Sequence, residues 1–194
     1  MNPWRVIGPL LVTAASLGGA ACSRTPPSTE LLSAYAAQAT TNRSLAAIGM
    51  ARAFKAGQIT ADETLSRALD ALDRGEDVTA FCGAVLDMLQ MVESSLPTSP
   101  EMELFWFRIG RLACNSGAMA LQKGRAEEAA TLMLAGPKRW QSEAYFRRYP
   151  DHDALIALTL TAQGRRQEAI AWLRARPELD GIALETLNKL TERH

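Results

Sequence analysis

GRAEEAATLMLAGP occupies residues 124–137 of this chain, and GRRQEAIAWLRARP occupies residues 164–177. The two segments are identical at six of 14 positions, at an offset of 40 residues. Each begins with glycine and closes with proline, which are typical of helix boundaries, and alanine-rich interiors favour helix. The repeat therefore indicates duplicated helical units. The identical pairs are Gly124 and Gly164, Arg125 and Arg165, Glu128 and Glu168, Ala129 and Ala169, Ala135 and Ala175, and Pro137 and Pro177.

Glycine and proline divide the rest of the chain in the same way, and no alternating apolar pattern is long enough to predict a strand. Stops such as Gly57, Gly75 and Pro150 separate segments with helical patterns. The predicted fold class is therefore all-α. The predicted helices span residues 29–38, 42–56, 61–74, 77–95, 100–122, 125–136, 139–147, 151–163, 166–175 and 180–192.

The repeated segments carry small and large residues where two antiparallel helices would cross. Ala157 and Leu160 in one predicted helix, with Ala169 and Leu173 in the next, match the packing positions of the tetratricopeptide repeat. Gly117, Ala120, Ala129 and Met133 match them in the earlier unit.

The pattern resembles that family, most evidently over residues 101–194. The resemblance implies antiparallel helical hairpins stacked as a solenoid, with the helix at 180–192 as a C-terminal cap. Three features depart from the family. The offset exceeds its period of about 34 residues, Asp153 stands where the family often carries Trp, and the family's closing proline comes later than Pro177 does.

The N-terminus has the pattern of an export signal. Arg5 precedes an uncharged apolar run at residues 6–17, which is shorter than the roughly 20 residues that span a bilayer. Small residues then lead to Cys22, and a Ser/Thr/Pro-rich tether covers residues 22–29 before the helical domain at 30–194.

This arrangement resembles a bacterial lipoprotein, although Gly19 stands where such proteins usually carry Leu. The resemblance implies a signal peptide at residues 1–21, a covalent lipid such as palmitate on Cys22, and, from Ser23, a place at the outer membrane facing the periplasm. Ordinary secretory cleavage after Ala21, which would give a soluble periplasmic protein, remains the alternative.

The cysteine count points to a second covalent feature. If Cys22 carries lipid, Cys82 and Cys114 remain as a pair in an exported chain. They lie at matching heights on two predicted helices joined by a turn near residue 98, so a disulfide between them is expected. Two buried free thiols are the alternative. Two cysteines without nearby histidines predict no metal site.

Charge and motifs exclude several functions. Removal of residues 1–21 leaves 20 Lys and Arg against 21 Asp and Glu, which argues against nucleic acid as the partner. No phosphate-binding loop or nucleophile motif is present. His152, beside Asp151 and Asp153, is predicted to be a surface residue at a helix start. We therefore expect no catalytic residue and no cofactor besides the lipid.

The segment between the repeats is rich in basic and aromatic residues. Trp140, Arg139, Tyr145, Arg147 and Arg148 could bind an acidic or aromatic partner segment, because such side chains are common interface anchors. Alternatively, the aromatic rings fill the seam between repeats while the basic groups stay solvated.

The resemblances to tetratricopeptide repeats and to bacterial lipoproteins, together with the basic and aromatic segment, predict a lipid-anchored scaffold or adaptor. Its partners would be proteins of a cell-envelope complex for secretion, pilus formation or outer-membrane assembly. A soluble periplasmic binding or chaperone-like module is the second expectation.

Overall fold

The structure is a computed structural model of the chain. It describes residues 27–96, 98–99, 102–176, 179 and 181–192. The predicted signal peptide and Cys22 lie outside these residues, as do Ser23, Pro97, Pro100, Pro177, Asp180 and His194.

Ten α-helices and no strand occur in the described part of the chain, which confirms the all-α prediction, and each helix overlaps one of the predicted segments. The segment predicted as one helix at 139–147 divides into a 3-10 turn, Lys138–Trp140, and a short helix. The Ser142 hydroxyl accepts a hydrogen bond from the backbone N–H of Tyr145 and so begins that helix anew. The helices are α1 (Ser28–Thr41), α2 (Arg43–Lys55), α3 (Ala61–Asp73), α4 (Thr79–Met91), α5 (Glu103–Gln122), α6 (Ala126–Met133), α7 (Glu143–Arg148), α8 (Pro150–Ala162), α9 (Arg166–Arg174) and α10 (Gly181–Glu192).

The glycines that open the two repeated segments have the same structural role. Gly124 ends α5 with φ of 73°, and Gly164 ends α8 with φ of 74°. This left-handed conformation is costly for residues with a Cβ, and it reverses the chain so that the next helix packs on the previous one. The sequence repeat therefore corresponds to two helix pairs, α5 with α6 and α8 with α9.

The pairs are extended on both sides. Helices α1 and α2 pack on α4, α3 packs on α4 and α5, and α10 packs on α8 and α9. Gly117 allows α5 to approach α6 closely, because a Cβ there would lie 2.9 Å from the Ala129 carbonyl oxygen and would overlap Met133. These are the positions that the sequence pattern assigned to the helix crossing.

One contiguous cluster of buried apolar side chains runs through the helices. It extends from Leu32 in α1 to Leu190 in α10, and α5 contributes Ile109, Leu112 and Ala113, which are fully buried. None of the helices described is both long enough and apolar enough to cross a membrane.

Candidate functional site

The aromatic residues between the repeats lie in the interior. Trp140 and Tyr145 have no exposed surface, and Phe146 is 4% exposed. Gly110 makes room for them: a Cβ at this position would lie 2.5 Å from Tyr145 Cζ and 2.8 Å from Trp140 Cε3. The indole Nε1 of Trp140 donates to the carbonyl of Ala135 at 3.0 Å.

The prediction that Trp140 and Tyr145 contact a partner is therefore wrong. Their rings lie within 5.2 Å of each other, centroid to centroid, and form part of the core. The alternative prediction, in which aromatic rings fill the space between helix pairs, is confirmed. Burial of these two rings in the core stabilises the fold. No surface of either ring remains available to a partner.

The basic residues of the same segment are exposed. Arg139, Arg147 and Arg148 all lie on the surface, and Arg147 pairs with Glu143 in α7. Arg139 places its Cζ 5.2 Å from the ring centroid of Trp106 and donates to the carbonyl oxygen of Thr98 at 2.5 Å.

The guanidinium of Arg148 lies 5.9 Å from the ring of Phe107, beside Trp106 on α5. Neither Arg139 nor Arg148 pairs with a carboxylate in the described part of the chain. Two cations that have no carboxylate partner among the described residues thus lie over neighbouring aromatic rings.

A pocket of about 280 Å³ opens beside these cations. Trp106 and Phe107 line it together with Arg139 and Glu103, and Ser99 and Ser142 complete the wall. Trp106 is 5% exposed, and its indole N–H has no hydrogen-bond partner among the residues that the structure describes. The sequence analysis did not identify this pocket, because a tryptophan on a helical apolar face is usually a core residue.

Asp153 is at the centre of a buried polar cluster that joins α8 to the end of α9. Its carboxylate accepts from Trp172 Nε1 at 2.7 Å and from Arg176 Nε at 3.0 Å. The Arg176 guanidinium lies between two rings, 4.0 Å from the centroid of Phe146 and 4.4 Å from that of Trp172. Burial raises the pKa of Asp153, and the two donors oppose that rise.

His152 lies in the first turn of α8, as predicted, but it is half-buried and so is not the surface residue that the sequence predicted. Its Nδ1 lies 2.6 Å from the hydroxyl of Tyr145, and its ring stacks on Tyr149 with centroids 5.4 Å apart. Desolvation lowers the pKa of His152, with the charge of Arg111 adding to the effect and that of Asp151 opposing it. The imidazole helps to fix α8 against α7.

We expect the stability of the fold to decrease when His152 becomes protonated. A lowered pKa means that the folded chain binds this proton less tightly than the unfolded chain. The free energy of unfolding should therefore be highest above the ordinary histidine pKa of 6.5 and should fall as the pH decreases through it. Urea unfolding between pH 8 and about 5 measures this. His152→Gln should flatten this slope, and an unchanged slope in that variant would assign the effect to other groups.

The structure does not contain the predicted disulfide: Cys82 and Cys114 are both buried and free. Equal height on two helices does not ensure that two side chains face each other. Cys114 lies on the face of α5 that also carries Gly110 and Gly117, and its thiol interacts with the Tyr145 hydroxyl. Cys114 is thus directed toward Tyr145 in α7, and it forms no bond with Cys82 on α4.

Both thiols should be unreactive in the folded chain. Burial raises the pKa of Cys82 and of Cys114 to about 12, so the nucleophilic thiolate is scarce at neutral pH. In a Cys22→Ser chain without reductant, we expect Ellman's reagent to detect no thiol in buffer and both cysteines in guanidinium chloride. Failure to detect them in denaturant would show that a disulfide forms after all.

A second, larger groove lies between α8 and α10 and has a volume of about 450 Å³. Leu158 is 49% exposed and Ile182 53% exposed, and both line it. The lining hydroxyls of Thr161 and Thr186 donate to carbonyls of their own helices. Arg166, Glu185, Lys189 and Leu190 complete the lining.

The rim charges of this groove have partners. Lys189 pairs with Glu185 at 2.5 Å, and Arg166 donates to the carbonyl of Leu190. The groove is therefore mainly apolar with a compensated polar rim, as in many ligand-binding surfaces. Across the described residues, no group of three His, Cys, Asp or Glu side chains could hold a metal ion.

Comparison with known proteins gives no relative from which a function could be transferred: no protein family, curated protein or solved structure matches this chain.

Proposed function

We propose that this protein is a lipid-anchored adaptor of the bacterial envelope that binds protein partners through tetratricopeptide-like helices. Lipid on Cys22 would hold it at the periplasmic face of the outer membrane, and the groove between α8 and α10 would bind an apolar partner segment. The observation that carries the proposal is the exposure of Leu158 and Ile182 in one groove. The protein would act without catalysis, because it would raise the local concentration of its partners at the membrane.

The chemistry of the groove favours an apolar side chain from a peptide or helix. Its volume lies within the roughly 300–1,000 Å³ of typical ligand pockets. The Thr161 and Thr186 hydroxyls are already satisfied, so an apolar insertion would leave no unpaired donor there. An amphipathic helix that places two or three apolar residues into such a groove is a common recognition mode.

The arrangement of the helices favours presentation of this groove away from the anchor. Ser28 begins α1 only a few residues after Cys22, and α1 packs on α2 and α4. Helix α10 packs on α8 and α9, at the other end of the series of helix contacts. A partner could reach the groove while the N-terminus remains at the membrane.

The repeat resemblance also supports an adaptor role. Two helix pairs with the same opening glycine follow each other, and α10 covers α8 and α9 as a terminal helix would. Proteins with such repeats commonly bind peptides, and the proposed partner is a component of a secretion, pilus or outer-membrane assembly complex.

We expect Leu158→Lys to remove this protein from its complex without unfolding it, because a charge in the groove must be desolvated by any apolar partner. Blue native gels of solubilised envelopes would compare it with the parent and with Leu45→Lys. Leu45 is a matched control in α2, 50% exposed and outside the groove. Equal loss of the complex in both variants, or retention in both, would contradict the groove assignment.

The lipid anchor has its own test. Cells grown with radioactive palmitate should label the parent chain and not a Cys22→Ala chain, and globomycin should block processing of the parent. If the Cys22→Ala chain is still cleaved and the parent takes up no lipid, the soluble periplasmic module is the correct description.

A further inference from the structure

We propose that the pocket beside Trp106 binds a carboxylate group of a partner peptide, with Arg139 as its principal donor. The proposal rests on the adaptor function, but its site is separate from the groove between α8 and α10. It requires only the exposed arginines of the segment between the helix pairs and the neighbouring face of α5.

The first argument is the charge at the pocket. Arg139 lines it, and Arg148 lies over the adjoining ring of Phe107. Neither cation has a carboxylate partner within the described residues, whereas Arg147 on the same helix as Arg148 is paired with Glu143. A guanidinium provides a fork of N–H donors that matches a carboxylate, so an acidic group from outside is the complementary ligand.

The second argument is the indole N–H of Trp106. This donor is buried, unlike the arginines, and the described part of the chain offers it no acceptor. An unsatisfied buried donor is costly, and such groups are uncommon in folded proteins. A carboxylate has two oxygens with several acceptor sites, so one group can accept from Arg139 and from the indole after a small shift of the exposed Arg139 side chain.

The third argument concerns the size and composition of the pocket. About 280 Å³ is enough for one acidic side chain or one chain end, and the rings of Trp106 and Phe107 offer apolar walls for its methylene groups. Among the described residues that line the pocket, Glu103 is the single anion, and it would repel such a ligand. Removal of this negative charge should therefore increase the affinity for the ligand, which can be tested.

Fluorescence anisotropy with the purified full chain tests the proposal. The probe is a short fluorescein-labelled peptide with adjacent glutamates and an amidated C-terminus. Arg139→Gln should weaken its binding by roughly tenfold, the worth of one charge-assisted hydrogen-bond pair, and Glu103→Gln should tighten it by about threefold. Arg147→Gln is the matched control, because this exposed arginine already has a partner, and it should leave the affinity unchanged.

Two further probes distinguish the ligand source. A peptide with glutamines in place of glutamates should not bind. A peptide whose only anion is a free C-terminal carboxylate, if it binds and depends on Arg139, supports the pocket and assigns it to chain ends. Equal binding of the glutamine peptide, equal effects of Arg139→Gln and Arg147→Gln, or binding only to phosphatidylglycerol vesicles would each overturn the proposal.

The groove between α8 and α10 and the carboxylate pocket can be tested independently of each other. Leu158→Lys should leave glutamate-peptide binding unchanged while it disrupts the envelope complex. Loss of peptide binding in this folded variant would show that the groove and the pocket are one site.

Discussion

Trp140→Ala should lower the free energy of unfolding by roughly 3–5 kcal/mol, the usual cost of removing a fully buried large aromatic side chain. Trp140 has no exposed surface, packs against Tyr145 and Phe146, and donates to the Ala135 carbonyl. The variant leaves a cavity between α5 and α7 and an unpaired carbonyl. Urea unfolding followed by circular dichroism measures the loss.

Arg139→Ala provides the control for this prediction, because it changes the neighbouring residue of the same turn. Arg139 is exposed and donates a hydrogen bond to the carbonyl of Thr98, so its loss should cost less than about 1 kcal/mol. If Trp140→Ala were as mild as Arg139→Ala, the segment between the helix pairs would not contribute to the core as described.

Asp153→Ala should destabilise the fold by a similar amount, roughly 3–5 kcal/mol, because it leaves a largely buried cation without its partner. The side chain of Arg176 is 15% exposed and that of Asp153 5% exposed. The variant also removes the acceptor of the Trp172 indole. Differential scanning calorimetry would show the effect as a lower melting temperature.

A second substitution tests whether the unpaired charge is the cause. Burial raises the pKa of Asp153 despite its two donors, so the ionised pair gains little over an apolar pair. Asp153→Leu combined with Arg176→Met should therefore recover most of the stability lost in Asp153→Ala. A double variant as unstable as the single one would show that the hydrogen bonds themselves carry the stability.

The sequence predicted the helices well because their boundaries are encoded locally. Thr60 and Glu63 form a reciprocal capping box at the start of α3, and Gly124 and Gly164 adopt the left-handed conformation that ends α5 and α8. The small residue predicted at the α5 crossing, Gly117, does allow close approach to α6. These features depend on residues close in sequence or on a recurring pattern.

The errors concern the direction in which side chains point. Cys82 and Cys114 are equally far from the turn between their helices, and on that ground the sequence predicted that they are paired. However, Cys114 lies on a face of α5 where its thiol interacts with Tyr145. The mixed basic and aromatic composition of residues 138–149 also did not show which side chains are buried. That depends on Gly110, 30 residues before Trp140, which provides the space for the rings. A contact between residues so far apart in the chain cannot be predicted from the local sequence pattern around either of them.

Site-specific photocrosslinking in intact cells most directly tests the central claim that an envelope partner occupies the groove between α8 and α10. A benzophenone side chain at Ile182, which is 53% exposed in that groove, should give a discrete adduct that Leu158→Lys abolishes. The same side chain at Leu45 should give no such adduct. Absence of an Ile182 adduct, or an equal adduct from Leu45, would contradict the account.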